Sequence, residues 1–107
     1  MLDRPNICSR EWITRQYDHE VQGASVLKPL VGAAAPVPGD AAVLRPRPDS
    51  PRGLALSLAL NPAYSAIDAY HMTAVTIDEA VRRLLAVGGD LAHIGGVDNF
   101  CWPSIEF

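Results

Sequence analysis

Hydrophobic and polar positions divide the chain into stretches of different texture. Between residues 54 and 60 leucine alternates with a small residue: Leu54, Leu56, Leu58 and Leu60 are separated by Ala55, Ser57 and Ala59. Successive side chains on a strand point to opposite faces, so a period of two predicts a strand with two unlike faces. The bulky face is expected to form core, and the small face to admit close approach by another sheet or chain. Residues 40–45 (DAAVLR) predict a shorter strand that Pro46 stops. Residues 46–53, with three prolines, Asp49 and Ser50, predict a constrained turn between the two. Beyond Asn61-Pro62 the period changes. Tyr70, Ala74, Ile77, Val81, Leu84 and Leu85 recur at three- and four-residue spacing, the apolar stripe of a core-facing helix. Asp78–Arg82 and Glu79–Arg83 are i,i+4 ion pairs in the favourable order on its flanking face. Ser65-x-x-Asp68 predicts a capping box at its start, and Gly88-Gly89 its stop. A short apolar run over residues 93–97 predicts a third strand. The fold class is α/β, of the α+β kind, in the order β-β-α-β.

The N-terminal third reads differently. Residues 7–23 (ICSREWITRQYDHEVQG) mix charged and aromatic side chains with few small ones. Such a run is no buried core element, because most of its charges would need partners on leaving water. Its varied composition is not that of a solvated linker either, so a docking or positioning segment is expected. Ser9 can cap a short helix running to about Tyr17, with Ile13 and Tyr17 one turn apart, and Gly23 closes the motif. Residues 26–31 form a small apolar patch broken by Lys28-Pro29. Residues 32–39 (GAAAPVPG) predict a stiff, largely extended connector, since each proline fixes its own φ and biases its predecessor away from helix. The expected division is a linker segment over residues 1–39 and an α/β subdomain over residues 40–107.

Composition narrows the function. A chain of 107 residues is one domain at most, with a modest core. The net charge of −3 and a single lysine, Lys28, give no electrostatic footprint for nucleic acid. No apolar run approaches the roughly 20 residues that span a bilayer. The N-terminus has no apolar signal segment, so a soluble cytoplasmic protein is expected. Cys8 and Cys101 stand apart with no histidine at ligand spacing, which argues against zinc; a disulfide between them stays open. His19, His71 and His93 have no mutual spacing, and the glycine pairs at 88–89 and 95–96 match no phosphate loop. Glu79 could coordinate a cation, but Arg83 one turn on favours a solvated ion pair. Phe100 and Trp102 could stack on an adenine or simply pack. Asp98 and Asn99 follow the expected third strand, where polar side chains commonly meet ligands in α/β folds. An Asx turn that merely ends the strand is the competing reading. No catalytic constellation is visible.

Two segments then carry a resemblance. Residues 7–23, continuing through VLKPLVG at 26–32, resemble the linker of phosphoribosylformylglycinamidine synthase, the glutamine-dependent ligase of purine biosynthesis. There it precedes the second of two aminoimidazole-ribonucleotide-synthetase-like halves. GDAAVLRP, GLALSLAL, NPAYSAIDAYHM, DEAVRRLLAVGGD and VDNFCW follow in the order of that half's start. The similarity covers nearly the whole chain, and RQYDHEVQG and DNFCW are its most specific strings.

The resemblance implies an ATP-dependent amidation. Formylglycinamide ribonucleotide is phosphorylated on its amide oxygen and attacked by ammonia from glutamine, with ATP and magnesium as cofactors. It implies N-terminal subdomains whose sheets pair into a barrel, and it makes Asp98 the ATP-contacting aspartate. Large members place a magnesium-binding Glu where Glu79 stands, followed one turn later by Asn; here that position is Arg83. Asp40 stands where such members have an acidic residue near nucleotide. The later Gly-Asn-x-Ser motif, the first half with its catalytic histidine, and the glutaminase are not in these 107 residues. The expectation is a fragment of the synthase, inactive alone, whose partners are the remaining synthase domains or subunits met through its sheet. The alternative is a non-catalytic interaction module that pairs by its sheet with a synthase subunit.

Overall fold

The computed structural model describes residues 2–17, 20–34 and 37–99. His19, Phe100, Cys101 and Trp102 lie outside the described residues. A short helix α1 (Glu11–Arg15) comes first. Its start is helped by the Ser9 hydroxyl, which accepts from the Glu11 amide at 3.2 Å. No residue of α1 is buried. The polar segment thus forms a helix shorter than expected, ending at Arg15 rather than near Tyr17 and with Arg10 rather than Ser9 at its N-cap, and without a core face.

Two small antiparallel sheets follow. Strands β1 (Ser25–Leu27), β4 (Ala42–Leu44) and β5 (Leu54–Leu56) form one, in the order β1-β4-β5. Its β4–β5 register sets Ala42 opposite Leu56 and Leu44 opposite Leu54. Strands β2 (Leu30–Val31) and β3 (Val37–Pro38) form the other. The proline-rich stretch after β2 is therefore not the extended connector expected. It doubles back, so that the Gly39 amide donates to the Pro29 carbonyl at 2.9 Å. Gly32 permits the reversal with φ near 93°, a conformation that side chains disfavour. Because β1 pairs with β4, the first sheet joins residues from both sides of positions 39 and 40.

The α+β content holds: small sheets and one main helix, α2 (Ala69–Ala86). Three details of the expected β-β-α-β order do not. The first concerns the strand over residues 54–60. Only Leu54–Leu56 pairs, and the leucines face out: Leu58 is 79% and Leu60 76% exposed, while Ala55, Ser57 and Ala59 are half-buried. The small face does admit a close neighbour, but the neighbour is α2, since the Ser57 hydroxyl donates to the Ala80 carbonyl at 2.8 Å.

The second is the helix. Its cap is Asp68, whose carboxylate accepts from the His71 amide at 2.8 Å; Ser65 sits in a preceding 3-10 turn (Pro62–Ala66) and bonds the Pro62 carbonyl. Nor is the expected apolar stripe the packed face. Met72 is buried and Thr73, Thr76, Glu79, Ala80 and Arg83 are half-buried; of the expected stripe Val81 and Leu84 are half-buried as well, whereas Tyr70, Ala74, Ile77 and Leu85 are exposed. The packed face is rotated by roughly a third of a turn from the stripe (about 100° per residue). Its smaller residues let the chain at Ser57 lie close.

The third is the strand expected over residues 93–97. Leu91–His93 is a 3-10 turn, residues 94–99 pair with no described strand, and all are exposed. Strand pairing needs a neighbouring edge, and none among the described residues reaches this segment. The stop at Gly88-Gly89 is as expected: the Gly88 amide donates to Leu85 at 3.0 Å and the Gly89 amide to Leu84 at 2.8 Å, a Schellman closure. Among the described residues the buried hydrophobics are Leu30 and Met72 alone. No described helix is long and apolar enough to cross a membrane.

Candidate functional site

The polar residues that converge lie where the chain after β5 passes α2. Asn61 ends that passage and turns its side-chain amide toward the helix. Its Nδ2 donates to Glu79 Oε2 at 2.8 Å and to Thr76 Oγ1 at 3.3 Å. The Arg83 guanidinium reaches both ways, Nη2 to Glu79 Oε1 and Nη1 to the Leu58 carbonyl at 3.1 Å. The Asn61 bond first, with the Arg83 charge behind it, holds the Glu79 carboxyl below the usual carboxylate range against partial desolvation. Two shallow depressions, about 330 and 480 Å³ and open to solvent, flank this cluster. Asp40 and Arg83 border both.

This arrangement binds its own members. Both Glu79 oxygens are engaged, and Arg83 is shared between a carboxylate and a carbonyl. Among the described residues no group of three or more His, Cys, Asp or Glu side chains stands close enough to hold a metal ion. Glu79 therefore does not fit a magnesium site as it stands. The ion pair expected from its spacing to Arg83 forms, as does Asp78–Arg82 at 2.6 Å.

Asp98 lies in the exposed segment 94–99, and no hydrogen bond or ion pair ties it to another described residue. It borders neither depression, so the structure does not bring it together with Asp40 or Glu79. One exposed carboxylate does not by itself form a nucleotide site. His71 and His93 stand on the surface, each beside an aspartate: His71 Nδ1 is 3.2 Å from Asp68 Oδ2, and His93 Nδ1 is 3.0 Å from Asp90 Oδ2.

What the sequence reading missed is Asn61. By position it marks only where the period changes, and its pairing with Glu79 spans eighteen positions with no local signal. The other prominent surface is apolar. The leucine row of residues 54–60 and the Tyr70, Ile77, Leu85 side of α2 are exposed, and among the described residues only Leu30 and Met72 are buried hydrophobics. An exposed row of large apolar side chains is a candidate surface for association.

No protein-family model matches the chain, and no solved structure matches it. Curated proteins do. The phosphoribosylformylglycinamidine synthase subunit PurL of Methanocaldococcus jannaschii is 43% identical over 106 residues, 99% of this chain and 13% of the relative. Its counterpart in Rhodopseudomonas palustris strain BisB18 is 39% identical over 103 residues, 96% of this chain and 13% of the relative. That of Thermoplasma acidophilum is 36% identical over 106 residues, 98% and 14%. The chain spans about 13% of the length of the curated relatives it matches. With identity at this level over nearly the whole of its length, the chain belongs to the phosphoribosylformylglycinamidine synthase subunit PurL family, of whose members it matches one segment.

Proposed function

We propose that the chain works as part of a phosphoribosylformylglycinamidine synthase, in the ATP- and glutamine-dependent amidation of formylglycinamide ribonucleotide in cytoplasmic purine biosynthesis. In this reading residues 1–39 are a linker segment. Residues 40–107 are part of an aminoimidazole-ribonucleotide-synthetase-like N-terminal subdomain. The observation that supports it is the 43% identity maintained over 106 residues with a synthase subunit. The chain supplies surface rather than chemistry. Its leucine row, exposed among the described residues, docks against the remaining synthase domains or subunits. ATP and magnesium belong to the assembled enzyme, and Asp98 is the residue of this chain that contacts ATP there.

The test is reconstitution. A PurL-type synthase deleted for the matching segment, co-expressed with this chain, is expected to regain ammonia-dependent formation of phosphoribosylformylglycinamidine. Failure of this chain, where the relative's own segment supplied the same way succeeds, would overturn the proposal. Binding to the deleted synthase without recovered activity would favour the non-catalytic interaction module instead. In the reconstituted enzyme Asp98→Ala is expected to weaken ATP binding, and unchanged binding would remove that assignment.

A further inference from the structure

The segment that carries the outward leucines is held in an unusual way. Strand β5 ends at Leu56, yet the alternation of exposure continues through residues 57–61. No ladder bond accounts for that order. Four side-chain bonds do: Ser57 Oγ to the Ala80 carbonyl at 2.8 Å, Arg83 Nη1 to the Leu58 carbonyl at 3.1 Å, and Asn61 Nδ2 to Glu79 and Thr76. Positions 76, 79, 80 and 83 lie at i, i+3, i+4 and i+7, one face of α2. The Glu79–Arg83 pair ties the two ends of this row together.

We infer that Asn61, Glu79 and Arg83 are a latch that fixes residues 57–61 as a strap along α2, extending the free edge of β5 and presenting Leu58 and Leu60 for a neighbouring strand. The inference rests on the docking proposed above and adds the means by which the edge is kept ready. A strap of five residues free in solution would have to be ordered when a partner arrives, and each backbone residue fixed opposes binding. Held beforehand by α2, the strap adds no such penalty. Glu79 and Arg83 are positioning residues in this scheme, acting on the edge through Asn61 and the Leu58 carbonyl. None of the three needs to touch the partner.

Two measurements separate the latch from the docking it serves. The first is on this chain alone, by backbone ¹⁵N relaxation. Order parameters over residues 57–60 are expected near the rigid value, about 0.85, and below about 0.6 in Asn61→Ala combined with Arg83→Met, with α2 unchanged. Mobile residues 57–60 in the unaltered chain, or an unchanged strap in the variant, would overturn the latch. The second is association with the deleted synthase. The latch variant is expected to bind at least about tenfold more weakly, the effect of ordering a single backbone residue. Leu58→Asp is expected to lose binding with the strap still rigid. If Leu58→Asp binds normally, the docking surface lies elsewhere while the order parameters still decide the latch. If latch variants loosen the strap yet bind as tightly as the unaltered chain, the latch does not serve docking and the inference fails.

Discussion

Asp68 holds the first turn of α2 with one carboxylate. It accepts from the His71 amide and lies beside the His71 ring, and these contacts, the amide first, keep its carboxyl below the usual range. A carboxyl lowered in the folded state adds stability that is present above its unfolded pKa and is lost as pH falls through the folded one. Acidification from about pH 5 to about pH 2, across the carboxylate range, is therefore expected to loosen the start of α2. Asp68→Asn, which can still cap but does not titrate, should lack this component, and superposable acid titrations by circular dichroism would contradict it. At the other end the Schellman closure depends on two glycines. Gly88 has φ near 85°, and Gly88→Ala should lower unfolding stability by about 1–2 kcal/mol, the usual penalty for a side chain in that region. Gly89→Ala has a different fault: its new carbon would stand 2.8 Å from the Leu84 carbonyl oxygen, so backbone must move. Equal urea midpoints for the glycine and alanine chains would show that the closure is dispensable.

At the level of elements, α2 and the chain beyond β5 meet largely through small and polar residues, while Leu58, Leu60, Tyr70, Ile77 and Leu85 turn away. This inverts the expected effect of substitution. Leu58→Asp and Leu60→Asp, at exposed positions, should change the stability of the chain alone by no more than about 0.5 kcal/mol. Met72→Ala, at 5% exposure, should cost about 2–5 kcal/mol and is expected to unfold much of the population. Urea titrations of the three variants would expose an error if the leucine changes proved the damaging ones. The same inversion explains what the sequence could and could not reveal. The strand at Ala42–Leu44, the turn, the extent of α2 and its glycine stop follow from local patterns, and each is found. Which face of Leu54–Leu60 is core does not, because bulk indicates that a face is to be covered, not that this chain covers it. Helix α2 shows the same ambiguity, with Tyr70 and Ile77 outward. The Asn61–Glu79 contact joins residues whose neighbours give no hint of each other, and the third strand had a pattern but no partner.

The molecule as a whole is spread thin. A compact monomer of 11.5 kDa exposes about 5,800 Å², against 9037 Å² here. Its radius of gyration is 16.4 Å, where a compact chain of this length gives about 13 Å. A slab of 52 × 40 × 20 Å with two buried hydrophobics among the described residues has little to lose on unfolding. The denaturant dependence should therefore be shallow, with a urea m-value below the roughly 1–3 kcal/mol/M of small proteins. A steep, cooperative transition would mean that the chain builds a core these contacts do not contain. Among the described residues β5 pairs only with β4, and its other edge has one more consequence, for handling rather than for assembly. An open strand edge accepts strands from any chain nearby, and successive copies can extend the ribbon without limit. Residues 53–67 hold no charged side chain that would deter this. Concentrated stocks should accordingly scatter more light with time, and Leu58→Lys, a gatekeeper charge on the outward face, should keep them clear.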